Sequence, residues 1–200
     1  MTATYTSACG LGVLLDVAVS AAGAGNITRG VDPDTGLAKW RLSAGDAEFE
    51  LIQRLPDQTR GFFEARHFPS DAAEAIAQNC IFQTIIRNTG SPGKGGAVAI
   101  DLGTWRVVHG GTEGRLALKE NWLAGWSEAD VSSDAKLAFQ WAMFPDRQEF
   151  LPGDYNWGMT AYGLPPGSRF DLHLIWQAGG GEQSDWIRDI ECAPDVEKLK

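Results

Sequence analysis

The sequence predicts a mainly β chain: a β-sandwich, Ig-like or jelly-roll-like in build, with a short helical hairpin inserted near residues 55–79. Three observations predict it. Apolar and polar residues alternate with a period of two in many short runs, the pattern of a strand with one buried face. Turn-forming residues separate the runs, drawn from 24 Gly and 9 Pro in 200 residues. One stretch breaks the alternation with helical spacing. About ten strands, about ten to fifteen residues apart, fit two stacked sheets, and a closed β-barrel is the alternative closure. No repeat of fixed period and no linker composition divides the chain. A single sandwich domain over residues 1–200 is expected, with an N-terminal tail at 1–9 and a charged C-terminal tail at 193–200.

Leu11, Val13, Leu15, Val17 and Val19 alternate across Gly10–Ser20 as a first strand. After the turn Gly23-Ala24-Gly25-Asn26, Asn26–Val31 forms a short strand. In Asp32-Pro33-Asp34-Thr35-Gly36, Pro33 presets φ and Gly36 supplies a positive one. Strands follow at Lys39–Leu42 and at Ala47–Arg54, where Phe49 and Leu51 share a face, with Gly45-Asp46 as the turn between them. Pro56 then opens a helix through His67, with Phe62, Phe63 and Arg66 at helical spacing. Pro69-Ser70 ends it. Asp71 and Glu74 have capping-box spacing and open a second, Ala-rich helix to about Gln78.

Cys80–Asn88 is apolar and β-branched on both faces, as a central strand is. Residues 89–96 form a glycine-rich loop. Ala97–Leu102 and Thr104–His109 are strands joined at a bulge on Gly103, and Gly110-Gly111 turns the chain. Arg115–Lys119 reads as a short strand, and Asn121–Trp126 fits either class. Lys136–Phe144 reads as a strand with Phe139, Trp141 and Met143 on one face. Pro145–Tyr155 is irregular, Asn156–Tyr162 is a strand, and Leu164–Gly167 is a turn. Arg169–Gln177 alternates most clearly, with Phe170, Leu172, Leu174 and Trp176 inward and Asp171, His173 and Ile175 outward. Ser184–Cys192 is the last strand.

Three cysteines, Cys9, Cys80 and Cys192, are too far apart for a redox pair or zinc ribbon. Cys80 and Cys192 flank strands and suit a long-range disulfide; the alternative is buried free thiols. A bridge would place the protein outside the cytoplasm, periplasmic or secreted. Cys9 would then be left as a free thiol, an intermolecular bridge or a lipid-attachment remnant. The N-terminal residues show neither a positive n-region nor a long apolar run; their small residues suit a mature chain behind a removed leader, and a cytosolic chain that begins this way is the alternative.

The charge is −9, from 17 Lys+Arg against 26 Asp+Glu, a poor surface for coating nucleic acid or anionic lipid. No apolar run is long enough to cross a bilayer as a helix. Walker, dinucleotide, nucleophile-elbow, HExxH and EF-hand motifs are all missing; Gly93-Lys94-Gly95-Gly96 lacks Walker spacing.

Three side-chain sets remain. His67, His109 and His173 are isolated in sequence, so a metal site must be assembled by the fold; Asp171 shares a strand face with His173 and makes a carboxylate–imidazole pair. Copper or zinc would suit such imidazoles. The plainer reading is three unrelated histidines. Among 8 Trp, Trp141 and Trp176 fall on inward faces, whereas Tyr155, Asn156, Trp157 and nearby Tyr162 combine aromatic platforms with polar groups. They suit a sugar ring or a protein partner; the plainer reading folds them onto the core. Asp146, Glu149 and Asp154 cluster as carboxylates without a fixed separation. The expectation is a non-catalytic extracytoplasmic accessory or binding protein, holding copper or zinc through histidines or docking a protein partner through aromatic loops. A carbohydrate-binding module and a small hydrolase or lyase are the alternatives.

Overall fold

The computed structural model describes residues 25–196. The expected strand over Gly10–Ser20 and Cys9 lie outside them. In chain order the elements are β1 (Asn26–Val31), β2 (Ala38–Ala44), β3 (Ala47–Gln53), α1 (Pro56–Glu64), α2 (Ser70–Ala77), β4 (Ile81–Asn88) and β5 (Val98–Asp101). There follow β6 (Arg106–His109), β7 (Thr112–Gly114), α3 (Lys119–Gly125), α4 (Ser133–Ala142), β8 (Arg147–Phe150), β9 (Tyr155–Ala161), β10 (Arg169–Ala178) and β11 (Gly181–Glu191).

Two antiparallel sheets face each other, and neither closes on itself, so the architecture is a sandwich and not a barrel. The first sheet runs β1-β2-β3-β4-β9. In the second, β10 pairs with β11 on one side and shares its other side between β6 and β5. β7 lies beyond β6, and β8 beyond β5. The alternation sets the inner faces. Trp40, Leu42, Phe49, Leu51, Phe82 and Ile86 from one sheet meet Val98, Ile100, Phe170, Leu172, Leu174 and Trp176 from the other. Burying each large side chain contributes roughly 2 kcal/mol against chain entropy. The hairpin between β2 and β3 turns on Gly45, whose φ of +56° suits a residue without Cβ.

A second core explains the helices. Ile81 on β4 and Met159 and Ala161 on β9 point away from the sandwich, into Phe63, Phe68, Ile76 and Phe139 of the helical layer. That layer covers only one end of the outer face of the first sheet. The rest carries the ion network of Arg41, Glu48, Glu50 and Arg87 and the exposed rings of Tyr155 and Trp157.

The helical hairpin lies where the sequence predicts it, with Pro56 at the start of α1. The start of α2 differs: Pro69 holds the N-cap and no side chain caps it, while Asp71 sits in the first turn and accepts from the Ala72 N–H. The larger correction is the strand expected over Lys136–Phe144: residues 136–142 belong to helix α4, and only Met143 and Phe144 lie beyond it, Met143 extended and bridging to Met159. Ala135 and Phe139 lie four apart on the buried face of α4 and Leu137 and Trp141 four apart on its exposed one; Ser132 Oγ caps its start by accepting from the Ala135 N–H at 3.3 Å. Trp141, expected inward, is 81% exposed. Residues 119–125 are helical, β7 precedes the strand expected at 115–119, and the stretch read as irregular holds β8. At Gly103 a single 3-10 turn replaces the bulge, with Asp101 Oδ1 accepting from the Gly103 N–H.

Cys80 and Cys192 form a disulfide with Cα atoms 5.3 Å apart, tying the entrance of β4 to the exit of β11 and so one sheet to the other. Ala193 and Asp195, expected in the charged C-terminal tail, are buried. Asp195 accepts from Arg60 of α1 and from Gln78 Nε2 at 3.0 Å.

Candidate binding groove

Two elements of the first sheet's outer layer frame a groove of about 580 Å³. α4 supplies one wall through Leu137, Ala138 and Trp141, and β9 the other through Trp157, Gly158 and Met159. Gln83 of β4 lies in the lining, and Arg54, Phe62 and Arg66 line the helical-hairpin side. Volume and apolar lining match small-molecule sites. Trp141 and Trp157 are 81% and 62% exposed, and Leu137 is 53% exposed. Large apolar side chains exposed side by side around a concavity mark a contact surface.

Local folding places each wall. The helical period puts Leu137 and Trp141 on one α4 face, turned from Phe139. The period of two puts Tyr155, Trp157 and Met159 on the outer face of β9, opposite Arg87, Ile85 and Gln83 of β4. The exit of α4 is stitched to β9 by the Phe144 N–H, which donates to the Met159 carbonyl at 2.8 Å, beside a Met143–Met159 bridge. Gly158 permits that approach: a Cβ there would lie 2.6 Å from Phe144 N.

The charges in the groove are unbalanced. Arg54 Nε is buried, with no hydrogen-bond partner among the described residues. Burial first, then the neighbouring Arg66, hold the Arg54 pKa below its ordinary value. Both guanidiniums lie over Phe62, at 5.7 Å from its centroid for Arg54 and 3.5 Å for Arg66. Asp134 is the acidic residue of the lining.

Of the ligand residues expected from sequence, Tyr155 and Trp157 share the exposed outer face, at 64% and 62% exposure. Asn156 and Tyr162 do not join them. Asn156 donates to Gln148 Oε1 at 2.6 Å. Tyr162 is in the sandwich core beside Phe82 and Phe170, its phenol accepting from Thr160 and its pKa pushed up to about 12 by burial.

The histidines do not converge. His67 is exposed at positive φ after α1. His109 meets the Arg169 carbonyl through Nδ1 at 2.7 Å. His173 faces Arg106 across the strands, which puts His109 three residues further along, an offset of about 10 Å. Its imidazole stacks on Trp186, with ring centroids 4.4 Å apart. Burial first, then Arg188 and Arg106, push its pKa below the ordinary value, against the pull of Glu113 and Asp185. Asp171 is not its partner: its oxygens accept from Arg188 and from the Asp189 N–H, which outweigh burial and lower its pKa. Among the described residues no three His, Cys, Asp or Glu side chains gather as a metal-binding group.

The carboxylates near residue 150 also separate. Asp146 is buried near the start of α3, where burial above all raises its pKa. Glu149 is exposed on β8, and Asp154 accepts from the Leu151 N–H in its own turn.

Sequence reasoning missed Trp141, Leu137 and Arg54 as site residues. The first two were hidden by the strand reading of α4, and no local pattern marks Arg54. No family model, no curated protein and no solved structure matches this chain.

Proposed function

We propose that this chain is a non-catalytic, extracytoplasmic binding protein whose ligand site is the groove between α4 and β9. The observation that carries the reading is the pair Trp141 and Trp157, both exposed, flanking a concavity of about 580 Å³. Among the described lining residues there is one carboxylate and no histidine, cysteine or serine, which favours binding over catalysis. The Cys80–Cys192 bridge supports an oxidising compartment. A metal-holding role draws no support from the separated histidines.

The neutral dye Nile red, fluorescent in apolar sites, tests it. The protein should enhance its emission, and Trp157→Ala with Leu137→Asp should abolish the enhancement without lowering the melting temperature. A folded wild-type protein that leaves the dye dark contradicts the reading.

Carbohydrate binding is a second reading, favoured by one observation. Tyr155 and Trp157 stand two apart on the outer face of β9, about 7 Å along the strand, and both rings are exposed as platforms on which a sugar ring can stack. Glycan-dependent quenching of tryptophan emission, lost in Tyr155→Ala, would support it; a broad glycan panel without response would remove it.

A further inference from the structure

The arginines separate into two sets, and the inference from them rests on the groove being the ligand site. The chain is acidic, at −9, and most of its arginines are paired. Arg41 meets Glu50 at 2.5 Å, Arg87 meets Glu48 at 3.1 Å, Arg147 meets Asp101 at 2.8 Å and Arg188 meets Asp171 at 2.7 Å. Arg54, Arg66 and Arg115 differ. Among the described residues none of the three forms an ion pair, although carboxylates outnumber cations in the chain; Arg115 is exposed outside the groove and reaches the Gly103 carbonyl, whereas Arg54 and Arg66 line the groove together. Arg66 donates to the Phe62 carbonyl at 2.8 Å, and Arg54 Nε donates to none of the described residues. Two like charges over one phenyl ring, one of them half-buried, form an arrangement that an anion relieves.

We propose that the groove binds a free amphipathic carboxylate, its head on the guanidiniums of Arg54 and Arg66 and its apolar body between Trp141 and Trp157. The planar guanidinium fork matches a carboxylate. A singly charged head costs less to take out of water than a dianionic phosphate. Leu137 and Met159 give the body an apolar bed, and the volume of about 580 Å³ is that of a small-molecule site.

Calorimetric titration of the full chain with octanoate and with 1-octanol tests the proposal. Wild type should bind octanoate at least about tenfold more tightly, the worth of one charge-assisted hydrogen bond. Arg54→Met should erase that preference, bringing the ratio of octanoate to octanol affinity to about one. It should melt no lower than wild type, because it removes a half-buried charge whose Nε has no hydrogen-bond partner among the described residues. Arg66→Gln, at an exposed position, should weaken the same preference and gives a second route. Equal affinity for acid and alcohol would overturn the carboxylate site while leaving an apolar groove. If neither ligand binds but Nile red does, the carboxylate site fails alone; if Nile red fails too, the groove reading falls with it. An Arg54→Met protein that melts well below wild type would make Arg54 a structural residue and overturn its role. Tighter binding of the peptide acid acetyl-Ala-Ala-Leu than of octanoate would also overturn the proposal, in favour of a protein C-terminus.

Discussion

Phe144 and Met159 hold the two walls of the groove together: the Phe144 N–H donates to the Met159 carbonyl at 2.8 Å, two residues from Trp157 and three from Trp141. The contact continues the outer edge of β9 into the chain leaving α4. Its tightness depends on Gly158, whose missing side chain leaves space for the Phe144 backbone.

Gly158→Ala should therefore destabilise the fold by about 2 kcal/mol, since the new methyl meets backbone that cannot swing aside. Urea unfolding measures the loss. The same substitution should weaken Nile red binding, because α4 must move off β9.

Removing the Cys80–Cys192 bridge should cost about 5 kcal/mol in the chain-entropy model, because the residues it joins are 112 apart. Denaturation of Cys80→Ala with Cys192→Ala, or of wild type with reductant, reads the change. A double variant as stable as wild type would make the bridge irrelevant to folding.

Acid should weaken the fold through His173. Its pKa is lowered in the folded protein, by burial and then by Arg188 and Arg106. The unfolded chain therefore binds the proton more readily, and stability falls as pH drops below the unfolded value of about 6.5. Below the folded pKa the loss is complete. His173→Phe should keep the stacking on Trp186 and flatten this part of the stability–pH curve between pH 8 and 5. Parallel curves for the two proteins would contradict the assignment.

Asp195→Asn should loosen the helical hairpin from the end of the chain. Arg60 joins Asp195, Glu74 and Asp57, so the charge lost leaves a half-buried guanidinium short of one partner. A cost of about 1–3 kcal/mol is expected. Hydrogen exchange should rise first in α1 and α2.

How far the sequence could be read depended on how many faces of each segment are buried. Arg169–Gln177 was legible because β10 is buried on one face, so Phe170, Leu172, Leu174 and Trp176 alternate strictly. The helical hairpin was legible because Pro56 and the alanines of α2 carry local preferences. Residues 136–144 were not. Phe139, Trp141 and Met143 alternate with small or neutral residues, a pattern that also allows one helical stripe through Ala135 and Phe139. The deciding signal was upstream, in the Ser132 cap followed by Asp134 in the first turn. Of the site, Trp157 was legible as an aromatic in a polar strand. Trp141 entered only with the helix, and Arg54 only with the pairing of its neighbours, a property of the whole charge distribution.

The most direct measurement is the Arg54 Nε–H resonance of the arginine-labelled protein, followed as octanoate is added. The account predicts a downfield shift that saturates with binding, as the unpaired donor gains an anionic acceptor, and no such shift with 1-octanol. An Arg54 signal that stays in place while octanoate binds would contradict it.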